Sequence, residues 1–184
     1  MQLSDLIHQR QSVRLYSSRT VSTSDIITCI EAARMAPSAS NSQPWYFVIA
    51  NEPELKNKLA ESTITKGIPI NKFTFQVPVI IVQVIESPKL ITRVAGLIKN
   101  RDFPWIDAGI AAEHFCLQAT ELGLGTCMIG WFDEKRVKKI LNIPPSKHVG
   151  LLITLGYPED GYPLRPKIRK PFEQIASFNT YKMK

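Results

Sequence analysis

Arg10-Gln11-Ser12-Val13-Arg14 places two guanidiniums four residues apart with a hydroxyl between them. That set suits a phosphate, because arginine makes paired, charge-assisted hydrogen bonds to phosphate oxygens. The competing reading is a solvated basic turn, the usual state of charged residues. Some two dozen residues on, Ala36-Pro37-Ser38-Ala39-Ser40-Asn41-Ser42-Gln43-Pro44-Trp45 packs small residues, two amides and two prolines into one stretch. Amides carry both donors and acceptors and can read the polar edge of a heterocycle. Asn and Ser also cap their own backbone in ordinary turns, so a plain turn competes here. Lys167-Ile168-Arg169-Lys170 adds cations able to reach the same anion, or to form no more than a basic tail. Met128-Ile129-Gly130-Trp131-Phe132 offers a glycine where backbone could approach a flat ring, or an ordinary strand-to-helix turn.

The chain offers no side chain placed to act as nucleophile or general base. It has no GxGxxG after a strand, no phosphate-binding loop of the Walker type, no HExxH and no GxSxG elbow. His8, His114 and His148 are scattered, and Cys29, Cys116 and Cys127 show neither CxxC nor metal-ligand spacing. No metal site is expected, and the cysteines read as small core residues. Anion clamps and amide readers without catalytic side chains leave the hard chemistry to a bound cofactor. The net charge of +7 asks for acidic partners. The aromatics do not interleave with the basic residues as single-strand binding requires, so nucleic acid is not expected as a partner.

Those residues must be held by elements, and the apolar pattern indicates them. A helix is expected from about Leu3 to Gln9, and a second capped by Thr23 or Ser24 and ended by Pro37. Trp45 to Ala50 reads as a strand, and Glu52 to Ser62 as a helix with Pro53 in its first turn. The β-branched run Val77 to Val84 reads as a buried strand. Lys89 to Asn100 is mixed. Trp105 to Leu122 forms one long helix, apolar on too many sides to be a simple surface helix and rich in small residues. Thr126 to Gly130 is a short strand, Asp133 caps a helix to Leu141, and Val149 to Gly156 is a last core strand. Residues 158–184 form an extended C-terminal arm on a single domain spanning 1–184. This alternation gives a layered α/β or α+β domain. The arm and the broadly apolar helix suggest a partner subunit. No apolar run is long enough to span a bilayer and no signal-type N-terminus is seen, so a cytoplasmic location without membrane contact is expected.

The motifs, taken in order, resemble the FMN-dependent nitroreductase family. They are Arg10 to Arg14, Ala36 to Trp45, the block from Asp107 to Thr126, Ile129-Gly130 and Leu155-Gly156-Tyr157-Pro158, with matches extending from about Arg10 to Pro171. The resemblance implies an α+β fold with a central, mostly antiparallel sheet flanked by helices, in an intertwined homodimer with FMN at the subunit interface. It implies that Arg10, Ser12 and Arg14 hold the phosphate and ribityl chain, with Gln11 contributing backbone near the ring. Pro37, Ser38, Ala39, Asn41 and Gln43 would line the flavin, some from the other subunit. Ile129 and Gly130 would approach the isoalloxazine, and Lys167 and Arg169 would complete the phosphate contacts.

The implied activity is oxidation of NADH or NADPH and reduction of a small-molecule acceptor, a nitroaromatic or quinone, by ping-pong hydride transfer. The alternatives are a flavoenzyme of the same scaffold with a dedicated substrate, as dehydrogenase or reductive dehalogenase, and a non-catalytic flavin- or nucleic-acid-binding module. Two departures stand out. The better-known branch of the family carries an acidic residue where this chain has Ile129. The segment 62–103, which helps to cover the substrate in relatives, looks abbreviated or divergent.

Overall fold

The computed structural model describes residues 2–65 and 70–181. Four strands, β1 (Trp45–Ala50), β2 (Val79–Ile85), β3 (Gly125–Ile129) and β4 (His148–Gly156), form one sheet in the order β1-β2-β4-β3, every neighbouring pair antiparallel. The helices are α1 (Leu3–Gln9), α2 (Thr23–Arg34), α3 (Pro53–Ser62), α4 (Leu90–Lys99), α5 (Phe103–Glu121), α6 (Glu134–Leu141) and the single turn α7 (Phe172–Ile175).

β2 lies in the middle of the sheet, and its period-2 alternation splits the core in two. Ile80, Val82 and Val84 pack with Leu59 and Ala60 of α3 and Val137 of α6. Val79 and Ile81 pack on the other face with Ile26 and Cys29 of α2 and Ala112 and Phe115 of α5. Burial on both faces explains why the run is continuously apolar rather than alternating. On α5 the side chains turned to α2 and the sheet are mostly small (Ala108, Ala111, Ala112, Cys116 and Ala119), which lets α2 approach closely. Gly123, at φ +73°, ends the helix.

Three local expectations are corrected. α2 is capped by Ser22, whose Oγ accepts from the Asp25 N–H at 3.0 Å, and it stops at Arg34, two residues short of Ala36-Pro37. The mixed stretch from Lys89 to Asn100 is a helix, α4, ending at Asn100 in the left-handed region. Its sequence is hard to read because Thr92 faces inward while Leu90, Ile91, Leu97 and Ile98 face outward. The expected arm has neither helix nor strand over 162–171, α7 then interrupts it, and 182–184 lie outside the described residues. No helix among the described residues is long and apolar enough to cross a membrane.

The segment after α1 is laid along the edge of β3. Val13 N–H donates to Thr126 O at 2.8 Å, and Ser12 and Thr126 form an isolated parallel bridge. Gly125 permits the approach, because a Cβ there would lie 2.7 Å from Val13 Cγ2. Gly125→Ala should therefore destabilise the protein by about 1–3 kcal/mol, the range for overpacking a core. In urea denaturation, Val13→Ala combined with Gly125→Ala should cost less than the sum of the single changes, since the two sites are in contact.

Candidate functional site

Tyr16 fixes the other end of this segment. Its buried hydroxyl donates to Val13 O at 2.9 Å and shares a 2.7 Å hydrogen bond with Thr154 Oγ1 on β4. Desolvation pushes the phenol far above its ordinary range, so it stays a neutral donor. Between the two anchors the chain cannot slide, and Arg10, Gln11, Ser12 and Arg14 are held at the sheet edge.

The arm then returns along the same segment. Gln11 Nε2 donates to Pro163 O at 3.0 Å, and Gln11 Oε1 accepts from Arg165 N at 3.1 Å. The Tyr162 hydroxyl accepts from the Arg14 N–H at 3.2 Å. The Arg165 guanidinium donates to Ser12 O, the Lys167 ammonium to Arg10 O, and Arg169 Nη1 to Ile168 O at 2.9 Å. The result is a cleft of about 260 Å³ lined by Arg10, Gln11, Ser12, Arg14, Arg165, Lys167 and Arg169. Five cations surround it. The carboxylate paired with them is Glu113 of α5, 3.2 Å from Arg10 Nε. Arg165 was not singled out from the sequence, although it begins the arm's basic cluster; its role depends on Gln11 and Ser12, more than 150 residues away.

Arg14 also lines a second cleft of about 460 Å³, formed by Asn71, Lys72, Phe73, Cys127, Met128, Ile129, Gly130 and Trp131 among others. Ile129 is buried, so its side chain belongs to the core below β3. Nothing lies within 4 Å of where a Gly130 Cβ would stand. A cationic cleft and a mostly apolar one thus meet at Arg14. Such a pair suits a ligand with an anionic group at one end and a flat ring at the other, and FMN has that form.

Pro37, Ser38, Ala39, Asn41 and Gln43 line neither of these clefts. They form a separate loop against α4 and α5. Ala39 N–H donates to Asp107 Oδ2 at 3.0 Å, Gln43 N–H to Ser38 Oγ at 2.9 Å, and Gln43 Nε2 to Asn41 Oδ1 at 2.9 Å. The Ser42 and Thr92 hydroxyls lie 2.8 Å apart. Ser40, Asn41 and Gln43 all have positive φ, at 52°, 51° and 48°. Each costs on the order of 1–3 kcal/mol unless its surroundings impose it, and such strain gathers at ligand sites. Asp107 is buried and supports the loop; the sequence offered no sign of that role. Burial pushes the Cys29 and Cys116 thiols up to about 12, which leaves them inert at neutral pH.

The family model described as the nitroreductase family matches residues 7–157. An Archaeoglobus fulgidus protein provisionally named NADH dehydrogenase/NAD(P)H nitroreductase is 31% identical over 163 residues, covering 84% of each chain. The iodotyrosine deiodinase of Thermotoga neapolitana is 26% identical, covering 97% of this chain and 98% of its own. Among solved structures, the FMN-dependent nitroreductase of Clostridium difficile R20291 aligns with a TM-score of 0.76 at 25% identity, covering 97% of this chain and all of that one.

The cationic cleft has a pH signature. Desolvation, and then the neighbouring Arg10 and Arg169, hold the Lys167 ammonium below the ordinary lysine range, against the opposite pull of Glu113. Only the charged form attracts an anion. Affinity for inorganic phosphate should therefore be full below that depressed pKa and fall as pH rises through it. Calorimetric titration across alkaline pH should show the fall in the native protein and a flatter profile in Lys167→Met.

Proposed function

This chain belongs to the nitroreductase family, and from that premise we propose that it is an FMN-dependent NAD(P)H oxidoreductase reducing small planar acceptors such as nitroaromatics or quinones. The observation that carries the reading is the convergence of Arg10, Arg14, Arg165, Lys167 and Arg169 on a cleft that meets the apolar recess beside β3 at Arg14. When bound, FMN supplies the two-electron chemistry, taking hydride from NADH or NADPH and passing electrons to the acceptor. The protein's part is to hold and to expose. The arginines and Lys167 neutralise the phosphate, with Ser12 as a further donor, and Gln11 locks the arm over the segment that carries them. Ile129 and Gly130 bring backbone to the ring, and the open space over Gly130 leaves room for a second flat molecule.

In this reading Pro37, Ser38, Ala39, Asn41 and Gln43 serve the site of a second copy, so the active form is a homodimer with 158–184 as its exchanging arm. Two features support it. The loop is built under strain yet lines neither cleft of its own chain. The arm leaves Ile168, Phe178 and Tyr181 between 80% and 91% exposed, a large apolar surface for a free domain. Sedimentation equilibrium should give twice the chain mass, and Phe178→Asp should shift the equilibrium toward monomer.

The central test is spectroscopic. The purified protein should be yellow or become so with FMN, and NADH or NADPH should bleach it anaerobically. Protein that stays colourless after incubation with FMN would exclude the reading. Arg14→Ala should weaken FMN binding by roughly 1.5–3 kcal/mol, the worth of a hydrogen bond to a charged group; unchanged affinity would remove Arg14 from the phosphate site. The near full-length likeness to an iodotyrosine deiodinase favours one second reading, reductive dehalogenation. Turnover of iodotyrosine with little turnover of menadione would select it.

A further inference from the structure

Resting on the oxidoreductase reading, we propose that Trp131 is the residue that selects planar aromatic acceptors, by presenting its indole as a fixed stacking wall beside Gly130. Trp131 is 56% exposed, although Cys127 and Ile129 of β3, which line the same cleft, are buried. It lines the recess shared with Arg14 and Phe73, and also the adjoining one formed by Ser62, Ile64, Thr65, Phe132 and Asp133. The indole therefore stands as a partition between two clefts rather than as core filling.

The partition is tethered. Nε1–H donates to Thr65 Oγ1 at 2.8 Å, and the Trp131 carbonyl accepts from Asn71 Nδ2 at 3.3 Å. Asn71, at φ +65°, donates from the same amide to Thr63 O at 3.4 Å. Two positions after Trp131, Asp133 N–H donates to Ser62 O at 2.8 Å. Backbone and ring are thus held before any ligand arrives, so stacking loses little side-chain freedom. An exposed indole face suits a second π system, offset or edge-on. Lys72, in the same cleft, favours rings bearing electron-rich oxygens, as nitro groups and quinone carbonyls do.

Menadione serves as the planar probe, and ferricyanide, an octahedral anion with no ring face, as the reference. In the FMN-loaded protein, Trp131→Ala should lower kcat/KM for menadione relative to ferricyanide by about 3- to 10-fold, the worth of an aromatic pair. The loss should appear in KM rather than kcat. Trp131→Phe keeps a ring and should recover most of the ratio, while Thr65→Val frees the indole and should fall between. A readout independent of turnover is tryptophan fluorescence of the oxidised holoenzyme. Menadione should quench it with a saturable component that disappears in Trp131→Phe, where Trp45 and Trp105 remain. An unchanged ratio in Trp131→Ala, or a saturable quench that survives in Trp131→Phe, overturns the assignment while leaving the oxidoreductase reading intact. Wild-type protein that binds FMN but is reduced by neither nicotinamide overturns that reading, and the assignment with it.

Discussion

The packing of Val13 against Gly125, with the Val13 N–H bonded to Thr126 O, is the constraint on which the functional half of this molecule depends. β3 is an edge strand, and an open edge exposes unpaired donors and acceptors. The 10–16 segment covers that edge and so acquires a fixed position. Tyr16 locks it from the far side through Val13 O and Thr154 Oγ1. Everything cationic follows from this seating: Arg10 and Arg14 come directly from the segment, and Arg165 and Lys167 reach it through hydrogen bonds to the carbonyls of Ser12 and Arg10. A glycine lacking one carbon thus determines where five positive charges meet.

Those charges are oriented without being neutralised. Carbonyl oxygens hold the heads of Arg165, Lys167 and Arg169, and a carbonyl carries no net charge to offset theirs. Only Arg10 has a carboxylate, Glu113, among the described ion pairs of the cleft. The mutual repulsion is visible at Lys167, where the facing guanidiniums add to desolvation in disfavouring the ammonium. An anion entering the cleft relieves that repulsion and needs little reorganisation of the groups it meets. Preorganised cations of this kind favour a dianionic end group over a neutral one of equal size.

The sequence carries the sheet and helices well where periodicity and burial agree. β2 was legible because a continuous β-branched run has few alternatives, and α6 because Asp133 accepts from Arg136 N–H as an N-cap should. α4 was not, because its apolar residues face outward and its inward residue is a threonine bonded to the Ala39–Ser42 loop. Arg10, Arg14, Lys167 and Arg169, which the fold gathers in one cleft, were legible by type, yet Arg165 was not, since nothing local in its surroundings distinguishes it from Lys170. Asp107 was hidden for the same reason: a helix-borne carboxylate looks solvated until the fold presents the Ala39 N–H to it.

The separation of the two polar groups has a physical consequence. Three residues at positive φ within four positions, Ser40, Asn41 and Gln43, in a loop held by Asp107, Thr92 and Ser38, are a costly way to close a turn that serves only its own chain. The cost is understandable if the loop's exposed edge is complementary to something it does not meet within one protomer. The cationic cleft has the opposite deficit, with charge in excess and few amides to read a ring. In the proposed dimer each deficit is met by the other copy. Ligand binding and association then become linked, because a molecule gripped by both chains stabilises the assembled state over the separated one. Phosphate clamp, strained amide loop and exposed apolar arm are, on this argument, three parts of one site that a single chain carries in separate places.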